Sequence, residues 1–150
     1  MRLETVALFI NVFVVSGWFL FAIYERGWGY AKIQQAMGTP AERYQLKQFF
    51  RLLQHVSSWL LGMLVATTLV QIWERGTVSF AEGVLLLAFV LFLGLFLPAQ
   101  KKVERLFRLS NERLPMRTVF WAQFQRMRMT LYLLHAMILL HVVWRLVEQR

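Results

Sequence analysis

Three histidines, His55, His135 and His141, are the only imidazoles in the chain, and each falls in a long apolar stretch. An ionisable group is costly to place in such a stretch, which marks it as a functional position by default. On helical spacing Arg128, Tyr132 and His135 lie at i, i+4 and i+7, one above another on a single face, with His135 about 10 Å from Arg128. His55 follows Arg51 by one helical turn, about 6 Å along the axis. The two pairs place His55 and His135 at similar depth, counted from an arginine at the same membrane surface. Neutral imidazole is an axial ligand of haem iron, and helical bundles hold cofactors between facing helices. The chemistry this set could support is ligation of haem or another tetrapyrrole by His55 and His135. Tyr132 would serve as an aromatic wall and Arg128 as a propionate partner. His141 lies roughly 120° around the helix from His135 and about 9 Å further along, so one ligand does not take both. The competing reading makes each histidine a hydrogen-bond partner between helices.

Other chemistries find no residues. The chain has no Cys and no Asp; all eight acids are Glu. Disulfides, thiolate metal sites and Ser–His–Asp catalysis are excluded. There is no Gly-rich phosphate loop and no H-E-x-x-H. Glu25 and Glu82 stand near span ends at opposite membrane faces, so they do not act as a pair. A transporter would carry buried carboxylates or broken helices, and Pro98 ends a span instead of breaking one.

The elements that must position these residues follow from composition. Of 150 residues 58% are apolar and 17% charged, and the mean hydropathy is +0.48. That is too apolar for an ordinary soluble domain or for disorder. Four stretches reach the length a bilayer core requires: Leu3–Tyr24, Leu52–Trp73, Phe80–Pro98 and the shorter Met129–Trp144. At the ends of the last, Arg128 or Arg145 is expected to snorkel to a headgroup. Leu3–Tyr24 reads poorly as a signal peptide: its charged start is Arg2 beside Glu4, the run is too long and no small-residue cleavage site follows. The expected fold is all-α, a four-helix transmembrane bundle with cytoplasmic helix extensions, residues 1–150 forming one domain.

Charge sets the orientation. Thirteen of the seventeen Lys and Arg lie between spans one and two or between spans three and four, and four lie elsewhere. By the positive-inside rule both termini are outside and both basic segments cytoplasmic, as in a multi-pass protein of the bacterial inner membrane. The net charge of +9 then reflects topology and contact with anionic lipid, and no nucleic-acid partner is expected. Trp28 and Trp121 suit the inner interface, and Trp73 and Trp144 the outer aromatic belt.

Local signals mark helix ends. Thr39-Pro40-Ala41-Glu42 reads as a capping box with Pro at the first helical position, and Ser79-Phe80-Ala81-Glu82 as another. The second helix is expected to begin near Pro40 and run about 18 Å before entering the membrane. Beyond Pro98, Val103, Leu106 and Phe107 form an apolar face among Lys101, Lys102, Arg105 and Arg108. That segment is expected to lie on the membrane or pack on the second helix's extension. Ser58, Gly62 and Ala66 share a face with His55 and would let another helix approach closely. Asn11, alone in the first span, is expected to hydrogen-bond to a neighbouring helix. The halves also look alike: Gln48-Phe49-Phe50-Arg51 recurs as Gln123-Phe124-Gln125-Arg126, 75 residues later. A parallel repeat and coincidence both account for that.

The runs FFRLLQHVSSWLLGML and FQRMRMTLYLLHAMILLH resemble small bacterial four-helix membrane proteins related to the copper-resistance D domain and the J-type protoporphyrinogen oxidase. The resemblance covers the span layout and about twenty residues, and it implies a link to haem or copper. The oxidase's aromatic-leucine-proline-arginine motif is missing; its place reads FAIYERGWGY, so the activity does not carry over. The functional expectation is a small non-catalytic accessory subunit of a larger inner-membrane complex, respiratory or photosynthetic, with the bilayer and other membrane subunits as partners. Its nearly featureless third span suits contact with lipid or partner helices, and its charged termini are expected to pack on those partners. The alternative is a haem- or tetrapyrrole-binding protein in electron transfer or haem metabolism.

Overall fold

A computed structural model describes residues 3–109 and 115–148, without the side chains of 3–4 and 115–117. The charged termini expected to pack on partners lie outside this range. Among the described residues the secondary structure is entirely helical. Four helices are long and apolar enough to cross a membrane: 5–36, 41–75, 80–109 and 118–148. The chain divides into two compact units, residues 1–77 and 78–150.

In the first unit, α1 (Leu3–Tyr24) passes through a wide π turn (Glu25–Gly29) into the short α2 (Tyr30–Ala36). A turn then leads to α3 (Ala41–Arg75), 35 residues without a break. At 1.5 Å per residue α3 is about 52 Å long, well beyond the roughly 30 Å of bilayer hydrocarbon. The extension expected below the second span is therefore present. The first span also extends, which its sequence did not signal. α1 packs along α3 through Ala7, Val14, Trp18 and Phe21 on one side and Leu61, Leu64 and Val65 on the other, all buried. Two glycines permit the close approach. A Cβ on Gly17 would sit 3.2 Å from Leu60, and one on Gly29 3.2 Å from the Phe49 ring.

The capping box expected at Thr39 is not formed. The helix begins at Ala41, with no side-chain cap on its first turn. Thr39 instead turns back, donating its hydroxyl to the Ala36 carbonyl at 2.7 Å, while Glu42 accepts from the Gly38 N–H at 2.6 Å. The cause is proximity. α2 ends three residues earlier, and its last carbonyls, which lack partners within their helix, compete for the hydroxyl. At the other end α3 closes on Gly76, in the left-handed conformation at φ 68°, whose N–H bonds to the Ile72 carbonyl.

In the second unit Ser79 and Glu82 do form the expected capping box: Glu82 N–H donates to Ser79 Oγ, and Ser79 N–H to the Glu82 carboxylate at 2.9 Å. α4 (Phe80–Leu91) passes through a second π turn (Phe92–Phe96) into α5 (Leu97–Leu109), and α6 (Pro115–Glu148) returns. The helix does not stop at Pro98. Proline's ring would clash with the carbonyl four residues back, that of Gly94, and the π turn holding Gly94 opens the backbone there. α5 runs on from the third span and packs on α6, with Val103 buried and the Phe107 ring 5.9 Å from that of Phe120.

The two units repeat one plan: a span, a π turn, a short helix and a helix of 34 or 35 residues. Many of their buried positions coincide at an offset of 74. Ala7, Asn11, Val14 and Trp18 match Ala81, Leu85, Ala88 and Phe92, while Leu46, Phe50, Leu53 and Leu64 match Phe120, Phe124, Met127 and Ile138. Between the two π turns the offset becomes 75, pairing Phe21 with Phe96 and Glu25 with Gln100, because the second unit's π turn comes earlier. The repeat is thus real in its core register. The tetrapeptide match at 75 is one residue out of that register on the long helices.

Candidate functional site

The predicted column on α6 exists. Arg128 donates from Nη2 to the Tyr132 hydroxyl, and its guanidinium carbon lies 5.4 Å from the Tyr132 ring centre. The His135 ring is 6.4 Å from that of Tyr132. Arg128 is buried at 6% exposure, so it does not snorkel as expected. The Tyr132 hydroxyl, one turn further into the span, gives the guanidinium an acceptor there, and a buried cation with an acceptor and an aromatic face has less need of water. Arg145, the other snorkelling candidate, is only half-buried.

His55 belongs to the first unit, and Arg128, Tyr132 and His135 belong to the second. It is exposed, and its Nδ1 is 2.8 Å from the Arg51 carbonyl oxygen one turn back. A carbonyl only accepts, so Nδ1 carries the proton and the Nε2 lone pair is left over. The face it shares with Ser58, Gly62 and Ala66 is exposed as well. α1 uses a different face of α3.

His141 adopts the other role open to an imidazole. It is buried, and its Nδ1 contacts the Ala81 carbonyl oxygen at 2.6 Å, joining α6 to the first turn of α4. Beside it the Phe80 and Trp144 rings are 4.7 Å apart. Glu82 is fully buried within its cap. The His141–Ala81 contact is the interhelical bond that the competing reading gives each histidine; what spacing did not supply is its acceptor, a backbone carbonyl.

Several other polar side chains in the spans are satisfied by backbone. Ser57 donates to the Leu53 carbonyl, and Thr67 to those of Met63 and Leu64 at 3.0 Å. Asn11 departs from expectation: it is buried, but its Nδ2 makes no hydrogen bond to any described residue, and neither does the Thr68 hydroxyl. Among the described residues no group of three or more His, Asp or Glu is arranged to hold a metal.

The chain matches no family model, no curated protein and no solved structure.

Proposed function

We propose that the protein is a small non-catalytic accessory subunit of a larger complex in the bacterial inner membrane, respiratory or photosynthetic in type, with both termini outside. One observation carries this reading. Along α4 and its π turn, Gly83, Leu87, Val90 and Gly94 form an exposed line, and a Cβ on either glycine would meet nothing within 4 Å. Glycine in a helix interior costs roughly 0.8–1.0 kcal/mol relative to alanine. No described residue uses the room these two leave. Small residues on a lipid-facing helix let another helix approach closely.

The test is migration in native membranes. The wild-type chain is expected to run within an assembly larger than itself in a mild-detergent native gel. Gly83→Leu with Gly94→Leu should release it at its own mass while leaving it folded. A wild-type chain that already runs alone, or shows turnover when purified alone, overturns the reading.

A second reading, tetrapyrrole binding, is favoured by the geometry of His55. An Nδ1 proton held by a carbonyl, with Nε2 left for a metal, is the orientation found at ligating histidines. It predicts a Soret band in the purified protein that is lost in His55→Ala and in His135→Ala and kept in His141→Ala.

A further inference from the structure

The exposed face of α3 combines two features that neither reading above uses. Ser58, Trp59, Gly62, Met63 and Ala66 line an open groove of ≈340 Å³ within the first unit, and its surface is mainly apolar. Directly below it on the same face stand Arg51 and Lys47, at i, i+4 spacing. Both are exposed, and neither forms an ion pair with any described residue. His55 lies between the cations and the groove.

The geometry points to an anionic phospholipid as the occupant of this face, its phosphate at Lys47 and Arg51 and one acyl chain in the Ser58–Ala66 groove. Three arguments support this. The first is charge. A transmembrane helix docked here would have to bring a carboxylate to the level of Arg51, whereas a phospholipid carries its anion at that level already. The second is length. From His55 to Ala66 the face rises about 16 Å, against about 15 Å for one leaflet of a bilayer core. The third is shape. Trp59 is 69% and Met63 42% exposed, so they stand up as walls, while Gly62 leaves the floor open with nothing within 4 Å of an added Cβ. Helical side chains lean toward the helix N-terminus, which on α3 carries the Lys47 and Arg51 heads away from the groove and toward the headgroup layer.

The full-length protein is placed in nanodiscs containing phosphatidylglycerol and phosphatidylcholine of identical acyl chains, and retained lipid is read by native mass spectrometry. Wild-type protein should retain phosphatidylglycerol preferentially. Two surface cations correspond to about a thirtyfold preference, which Lys47→Gln with Arg51→Gln should abolish. Gly62→Leu, which fills the groove from an exposed position, should lower retention of both lipids. Circular dichroism of each variant should match wild type, because every substituted side chain is exposed. Equal retention of the two lipids by wild type overturns the proposal. So does unchanged retention in Gly62→Leu. A tetrapyrrole or a second protein found on this face in place of lipid, and displaced by Gly62→Leu, overturns it as well.

Discussion

The imidazole of His141 on α6 meets the main-chain carbonyl of Ala81 on α4, 60 residues away in sequence, at 2.6 Å. The carbonyl can only accept, so Nδ1 carries a proton and the histidine works in the joint as a structural donor. His141→Ala should lower the stability of the second unit by about 0.6 kcal/mol, the average for hydrogen bonds between membrane helices, and at most about 1.7 kcal/mol. Reversible unfolding in detergent measures this. A His141→Ala protein as stable as wild type would show that the bond contributes nothing.

Arg128 and Tyr132 should behave as one unit. Tyr132→Phe leaves a buried guanidinium without that acceptor and should cost about 1.5–3 kcal/mol, the range for hydrogen bonds to charged groups. Removing Arg128 as well should recover part of that loss, since residues in one network are not additive. A double-mutant cycle gives the coupling. Strict additivity would mean that each side chain is held by something other than its partner.

The two Ser/Thr-x-x-Glu sequences should respond differently. Ser79→Ala removes a formed cap and should cost about 0.5–2 kcal/mol of helix stability. Thr39→Ala removes a bond to the preceding helix and should leave exchange at the first-turn amides of α3 unchanged. Hydrogen exchange at residues 80–83 and 41–44 distinguishes the two. Equal deprotection at both sites would contradict the geometry.

Close helix approach should be costly to disturb at one glycine of the first π turn and not at the other. Gly29→Val drives a branched side chain into Phe49 and should cost about 1–3 kcal/mol, as overpacking does. Gly27→Val meets nothing within 4 Å at its Cβ. Thermal unfolding of the two variants tests the contrast, and a Gly27→Val loss as large as that of Gly29→Val would refute it.

Orientation is tested by labelling. With both basic segments cytoplasmic, a cysteine at Gly38 should be shielded from an impermeant thiol reagent in intact cells, and one at Gly76 should react. The reverse pattern would place the termini inside.

Much of the fold was legible in the sequence because its signals are local and strong. Apolar length gave four membrane-length helices, the Pro40 region gave the start of α3, and Ser79 with Glu82 gave the cap of α4. The misses share a physical origin, which is that a competing partner lay outside the pattern being read. Thr39 has the sequence of a cap, but the end of α2 is too close. Arg128 sits at a span end, where snorkelling is the rule, but Tyr132 offers an acceptor one turn inward. Asn11 was given a partner by a general rule that the packing does not supply. The π turns have no signature beyond Pro98 and the glycines 27, 29 and 94. Without them the 74-residue register could not be seen, since the offset shifts by one between them. At the candidate site, spacing alone placed Arg128, Tyr132 and His135 on one face. It could not show that His141 serves as a joint, because its acceptor is backbone and leaves no trace in residue type.

The wide turn at Phe92–Phe96 has a consequence for changes in chain length. A π turn is an α turn carrying one surplus residue, so the helix beyond it keeps the orientation it would have without that residue. Deleting one residue inside 92–96 should therefore leave Val103 facing α6. The same deletion one turn earlier would rotate everything downstream by about 100° and bring Glu104 toward the buried side. The deletion is tolerable only on one condition. Without the surplus residue the ring of Pro98 meets a regular backbone and clashes with it. The chain can shorten here if Pro98 is replaced in the same step, so length and residue type at this point are inherited together.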